Sequence, residues 1–164
     1  MRETVLRDAV RAALATLAAF AFYALIGGAR PSVLIAVNAF AIVVVTFSVG
    51  RDEVFGAVLG AVCGLIQDSF SLGVFGVAGL TKTLLGFGTG YISRRFDVGA
   101  FFRNALFLLF MSSLELVLWL LLEGLVLREP VDFRRGLLAL QPFVTALVGS
   151  LILHVERRAR RRRG

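Results

Sequence analysis

Six apolar stretches follow one another along the chain, separated by short polar or glycine-containing segments. An α-helix rises 1.5 Å per residue, so about 20 helical residues cross a bilayer core of about 30 Å. The third stretch approaches that length only if it extends through Phe70. The pattern therefore predicts an all-α, polytopic membrane protein of about six transmembrane helices, at residues 9–28, 31–49, 54–70, 72–92, 101–127 and 136–154.

The third stretch has an alternative interpretation. Its continuous apolar part, residues 54–67, is short enough to be a re-entrant or interfacial segment. Two features favour a full crossing. The polar residues 68–71 form a plausible turn between two apolar runs, and an even number of crossings keeps both termini on one side.

The distribution of arginine supports that arrangement, because cytoplasmic loops of membrane proteins are enriched in Lys and Arg. With the N-terminus in the cytoplasm and six crossings, the outer side receives few basic residues, namely Arg30, Arg128, Arg134 and Arg135. The cytoplasmic side receives more, namely Arg2, Arg7, Arg11, Arg51, Arg94, Arg95, Arg103 and the C-terminal tail. We therefore predict a multi-pass protein with both termini in the cytoplasm.

Composition narrows the class further. Hydrophobic residues make up 58% of the chain and charged residues only 18%, against about 25% charged in soluble domains. These values exclude a disordered chain and argue against a soluble enzyme. The net charge of +7 is concentrated in a basic tail, residues 155–164. Next to an apolar helix, such a tail indicates contact with anionic lipid rather than with nucleic acid. Its arginines are Arg157, Arg158, Arg160, Arg161, Arg162 and Arg163.

Glycines are spaced four apart in the third span, at Gly56, Gly60 and Gly64. They share one helix face, where the absence of side chains lets another helix approach closely. Two interpretations remain open. The face packs against the fourth span, or it forms a groove that docks a partner's helix. Gly73 and Gly76 lie at the start of the fourth span.

Charged and polar side chains inside predicted spans are costly and need a partner or a purpose. Lys82 and Glu115 lie near the midpoints of spans four and five, so we predict an ion pair between them. The pair is either structural or part of a polar cavity or two-state switch; no contact at all is the third possibility. Asp68 is placed to cap span four through backbone N–H groups, and Asn38 is expected to hydrogen-bond to a neighbouring helix.

Catalytic patterns are weak. His154 has no H-E-x-x-H spacing, and Cys63 has no evident base. A single cysteine forms no intramolecular disulfide and supplies too few thiolates for a zinc site. We therefore expect neither an enzyme nor a bound cofactor or metal.

One segment resembles a known family. It reads Gly64-Leu65-Ile66-Gln67-Asp68 at the end of one span, then a few polar residues, and Leu72-Gly73 at the start of the next. This pattern, within residues 60–80, resembles the MreD family of rod-shape-determining proteins in bacterial inner membranes. The short loops and the number of spans are similar as well.

The resemblance implies a non-enzymatic component of the bacterial cell-elongation machinery, which places new peptidoglycan along the side wall. It implies action beside an MreC-like protein, an MreB-like filament and the RodA–class B penicillin-binding protein synthase. The implied fold is similar to the substrate-binding components of energy-coupling-factor vitamin transporters.

Two functions are therefore expected. The first is a membrane scaffold whose glycine face, with Asp68, docks an MreC-like single-span partner. The alternative is a small-molecule (vitamin-like) substrate-binding component of a transporter, with a cavity holding Lys82, Glu115, Asn38 and Asp68. Fold alone does not decide between them.

Overall fold

The computed structural model describes residues 2–27, 37–70, 75–95, 101–127 and 137–161, and in these residues all regular structure is helical. The described residues contain six helices, which follow in the order of the six predicted apolar stretches. They are α1 (Arg2–Gly27), α2 (Ala39–Ser48), α3 (Glu53–Asp68), α4 (Val77–Arg95), α5 (Phe101–Leu127) and α6 (Leu137–Arg161).

Three of these helices, α1, α5 and α6, are long and apolar enough to cross a membrane. Their apolar windows are Ala9–Ile26, Phe102–Leu122 and Leu138–Val155. The apolar helix α2 has only 10 residues, which is about 15 Å of helix. Many large apolar side chains lie exposed along the long helices, as expected for a protein surrounded by lipid.

The helix boundaries agree with the sequence in the middle of the elements and differ at their ends. Helix α5 has the predicted bounds, whereas α1 begins earlier and α6 continues past residue 154 to Arg161. Helix α2 begins only at Ala39, because the Asn38 side chain caps it there. Helix α4 begins at Val77, after a turn in which Gly76 has a φ of 101°. Such a φ strongly favours glycine.

The short helix α2 lies at the centre of the bundle. It packs against α1, α3, α4 and α6, and its side chains from Phe40 to Thr46 are all buried. Beside it, Tyr23 of α1 packs on Phe40 with ring centroids 4.9 Å apart. This arrangement explains the uninterrupted apolar run of α2, since a helix covered on all sides needs no polar face.

Helices α3 and α4 form the tightest pair and run antiparallel. A Cβ atom added at Gly56, Gly60 or Gly64 would collide with the backbone carbonyl groups of Gly86, Lys82 and Ala78, respectively. The two backbones therefore touch directly along the glycine face of α3. Of the two interpretations of this face, packing between spans three and four is the one observed. The expected docking groove on Gly56, Gly60 and Gly64 is wrong, because α4 already fills it.

Substitution of Gly60 tests this packing. We expect Gly60→Ala to destabilise the protein by about 1–3 kcal/mol, because the new methyl group collides with backbone atoms that cannot rotate away. The measurement is thermal unfolding in mild detergent. Gly124→Ala is the matched control, since a Cβ at Gly124 meets nothing within 4 Å and alanine favours helix over glycine. Equal unfolding temperatures for the two variants would contradict the proposed close contact.

Candidate functional site

Asp68 ties the end of α3 to the start of α4. Its carboxylate accepts hydrogen bonds from the backbone N–H groups of Gly76, Ala78 and Gly79, at 2.9, 3.1 and 2.9 Å. The N–H groups in the first turn of a helix have no partner within the helix. A negatively charged carboxylate at this end also interacts favourably with the helix dipole. The predicted capping role of Asp68 is therefore confirmed, although Asp68 belongs to α3 and lies eight or more residues before the amides it binds.

Lys82 and Glu115 form the predicted ion pair between α4 and α5. The Lys82 Nζ atom donates to Glu115 Oε1 at 2.7 Å, and the two side chains are only 1% and 6% exposed. Lys82 also lies on the α3–α4 contact, where its backbone carbonyl faces Gly60. The same helical turn thus fixes both the backbone contact and the position of the ammonium group. Removing either partner would leave a charge buried without compensation.

A cavity of about 150 Å³ adjoins Glu115 at the end of the bundle where α1 and α3 end and α2 and α6 begin. We call it the Glu115 cavity. It offers room for about five water molecules, taking about 30 Å³ for each. Its lining is Tyr23, Asn38, Gln67, Glu115, Leu116, Trp119, Leu138 and Gln141.

The lining of the Glu115 cavity carries hydrogen-bonding groups with spare capacity. Gln67 Oε1 is buried and has no hydrogen-bond partner among the described residues. The side-chain oxygen of Asn38 accepts a hydrogen bond from the backbone amide of Ala41, at 3.0 Å. Its NH₂ group has two further donors. Pro142 has no N–H, so the carbonyl of Leu138 lacks its usual helical donor. Such groups favour a polar occupant of the cavity.

The structure brings together some of the residues singled out from the sequence and separates others. Asn38 and Glu115 line the Glu115 cavity, and Lys82 pairs with Glu115 behind it. Asp68 is not part of the lining, because its carboxylate is turned to the start of α4. Asn38 was expected to bond to a neighbouring helix, but its side-chain oxygen caps its own helix α2.

Four polar or aromatic members of the lining were not found from the sequence: Tyr23, Gln67, Trp119 and Gln141. Each lies toward an end of its helix, where polar residues are usually solvated. Only the antiparallel order of the helices brings these ends to one place. The usable signal is that Gln67 lies near the end of the third apolar run and Gln141 near the start of the sixth, on the same predicted side of the membrane.

The opposite end of the bundle carries exposed charges. Arg94 of α4 donates to Asp52 and Glu53 at the start of α3, both at 2.8 Å. The pKa of Glu53 is lowered, chiefly by a hydrogen bond from its own backbone and further by the charge of Arg94. Arg95 lies over the Tyr91 ring, 4.1 Å from its centroid. Because the Arg94 pairs are solvated, their contribution to stability is small.

Several residues of the predicted glycine motif and of the basic tail lie near or beyond the ends of the described segments. Arg158 is exposed on α6. Arg157, Arg160 and Arg161 belong to the same helix, and their side chains lie outside the described residues. Gly73, Arg162 and Arg163 lie outside the described residues altogether.

Comparison with known proteins gives one match. The family model described as rod shape-determining protein MreD matches residues 10–150 of this chain. No curated protein and no solved structure matches. The matched segment contains all of α2, α3, α4 and α5, and thus both the ion pair and the Asp68 cap.

A double-mutant cycle tests the Lys82–Glu115 pair. We expect Lys82→Met alone to cost about 3–5 kcal/mol of unfolding free energy, because it leaves Glu115 buried and unpaired. Lys82→Met with Glu115→Leu should recover most of that loss. The measurement is unfolding in mixed micelles. If the effects of the two single substitutions simply add in the double variant, the two groups are not energetically coupled.

Proposed function

The chain belongs to the rod shape-determining protein MreD family, and from that membership we propose that it is a non-enzymatic scaffold of the bacterial cell-elongation complex. In this role it supports side-wall peptidoglycan synthesis and rod shape by holding other membrane proteins in place. The observation that carries the proposal is the family match over residues 10–150. The Asp68 cap and the Lys82–Glu115 pair, which hold helices of the bundle to one another, support it.

The proposed arrangement in the inner membrane has six crossings and both termini in the cytoplasm. Support comes from the antiparallel contact of α3 with α4 and from the basic residues at one end of the bundle, including Arg94 and Arg95. That end of the bundle is rich in arginine, as the cytoplasmic surfaces of membrane proteins are. We propose a single membrane domain with a fold similar to the substrate-binding components of energy-coupling-factor transporters, followed by a basic tail that contacts anionic lipid.

The proposed partners are an MreC-like protein, the RodA–class B penicillin-binding protein synthase and an MreB-like filament. Since α4 fills the glycine face of α3, the MreC-like helix must dock elsewhere. We assign it to the open face of α5, a row of exposed apolar side chains that runs the length of the helix. The row is Phe102, Leu106, Phe110, Leu114, Val117, Leu121 and Leu125.

The open face of α5 suits a single-span helix for two reasons. Its residues follow one another at intervals of three or four, so they form one continuous stripe. Gly124 lies beside the stripe with open space where its side chain would be, which allows a second helix to approach closely. The other side of α5 is occupied by α4 and α6.

Site-specific photo-crosslinking tests this docking surface. With benzoylphenylalanine introduced at Leu114 or Leu121, we expect crosslinking in cells to an MreC-like single-span protein, because both positions lie on the open face of α5. The product is identified by mass spectrometry after purification through the present chain. Leu17 of α1 and Leu147 of α6 serve as controls, since they are exposed apolar positions on other helices.

The outcomes distinguish an error in the proposed docking surface from an error in the proposed partner. Crosslinks at the control positions alone would show that the partner docks elsewhere. If no position yields an MreC-like product, while the chain is present at its normal level, the scaffold role of this protein toward that partner is refuted.

The Glu115 cavity favours a second candidate, a small-molecule (vitamin-like) binding component of a transporter. The specific observation is a hollow of about 150 Å³ with a buried carboxylate and an unsatisfied glutamine oxygen in its wall. In this reading Asn38 and Glu115 contact the ligand, and Lys82 balances the charge of Glu115.

Filling the cavity discriminates between the two functions. Leu138→Trp places a large ring at the cavity wall, whereas Leu140→Trp on the same helix lies on an exposed face. The scaffold proposal expects both variants to restore rod shape in a strain lacking this protein, as measured by cell length and width. Loss of rod shape with Leu138→Trp alone, at normal abundance, would favour the ligand-binding function.

A further inference from the structure

Three side chains in the wall of the Glu115 cavity carry hydrogen-bonding groups that the described protein does not use. They are Tyr23, Asn38 and Glu115, which are only 7%, 2% and 6% exposed. Polar groups on side chains buried to this extent normally have a hydrogen-bond partner. The cavity is the place where such a partner can lie, so the three groups indicate the chemistry of its occupant.

Two of the three groups are donors. The Asn38 oxygen is committed to the backbone amide of Ala41, so the NH₂ group is the part of this side chain that is left for the cavity. The Tyr23 ring packs against Phe40 and Phe70, and its hydroxyl group has no hydrogen-bond partner among the described residues. An occupant that brings an acceptor oxygen satisfies both donors.

The third group is an acceptor. Lys82 Nζ donates to Glu115 Oε1, and no donor among the described residues reaches the other carboxylate oxygen, Oε2. A hydrogen bond to an ionised oxygen is stronger than one between neutral groups. An occupant that carries an N–H group beside its acceptor oxygen therefore fits Glu115 as well as the two donors.

The balance of charge at the cavity favours a neutral occupant. Within the described part of the chain, Glu115 is the only charged side chain of the lining, and Lys82 already balances it. An anion is repelled by the Glu115 carboxylate. A cation competes with Lys82 for that carboxylate and leaves a surplus positive charge in the bundle. Either ion thus buries a charge without compensation, at a cost that a neutral molecule avoids.

The rest of the cavity wall is largely apolar. Leu116 and Leu138 contribute aliphatic side chains, and Trp119 contributes an aromatic ring. Small-molecule sites in proteins commonly combine an apolar lining with a few polar groups that fix the orientation of the ligand. The wall therefore matches a molecule with one polar group on an apolar body.

We propose that the Glu115 cavity binds one small neutral carboxamide. The carbonyl oxygen of the amide accepts from the Asn38 NH₂ group and the Tyr23 hydroxyl, and the amide N–H donates to Glu115 Oε2. The apolar part of the molecule lies against Leu138 and Trp119. This proposal rests on the ligand-binding function given above as the second candidate, and it names the class of ligand.

The fluorescence of Trp119 tests the proposal, because it is the single tryptophan of the chain and lies in the cavity wall. The probes are propanamide and two ions of nearly the same shape, propanoate and propanamidinium. Each is titrated at neutral pH into the full chain in mild detergent. We expect propanamide to change the emission saturably in the millimolar range, as a ligand of this size allows. Neither ion should give a saturable change.

The two tyrosines of the chain provide matched variants. Tyr23→Phe removes the cavity hydroxyl and keeps the ring, so it should weaken propanamide binding about fivefold, the effect of one neutral hydrogen bond. Tyr91→Phe removes a hydroxyl from an exposed side chain at the other end of the bundle and should leave the affinity unchanged. Leu138→Phe should block the cavity, whereas Leu140→Phe, on an exposed face of the same helix, should not. Thermal unfolding verifies that each variant is folded.

The contrary results have different consequences. If propanoate or propanamidinium binds at least as tightly as propanamide, the cavity binds a ligand but the carboxamide class is wrong. An affinity for propanamide that is equal in the wild-type chain and in folded Tyr23→Phe also overturns the proposal. So does the absence of any saturable change that Leu138→Phe abolishes. In that case the effect of Leu138→Trp on rod shape decides separately whether the cavity has a ligand-binding function.

Discussion

Direct backbone contact between α3 and α4 is the constraint on which the rest of this bundle depends. Lipid provides no hydrophobic drive for helices to associate, so close approach and internal hydrogen bonds must supply it. The glycines at 56, 60 and 64 permit that approach, and the carbonyl of Lys82 lies against Gly60. The rotation of α4 is thereby fixed, and with it the direction in which the Lys82 ammonium group reaches Glu115.

The two ends of the bundle use polar groups differently. At the end where α2 and α6 begin, the side chain of Asn38 and the carboxylate of Asp68 cap helix starts, and further polar groups surround the Glu115 cavity. At the other end, arginines on α1, α4 and α6 lie at the surface. Asn38, Asp68 and the Lys82–Glu115 pair thus stabilise the bundle from inside, whereas the arginines of the other end lie at its surface.

This division fits a protein whose work is done by its surfaces. Membership of the MreD family connects the chain with rod shape, and a scaffold needs a rigid bundle that offers distinct faces to distinct neighbours. Helix α5 presents one such face, a long stripe of exposed apolar side chains.

The sequence by itself determined the helical class, the order of the six apolar elements, the Asp68 cap and the Lys82–Glu115 pair. The spacing of apolar residues, the spacing of glycines and the depth of a residue along its helix can all be read from local sequence. Two opposite charges at equal depth in apolar helices have few partners other than each other. Only the tertiary structure decided that α4 covers the glycine face, that Asn38 starts a helix of 10 residues, and that Tyr23, Gln67, Trp119 and Gln141 share a cavity. These facts depend on which helices are neighbours and how each is rotated, and distances along the chain do not encode either.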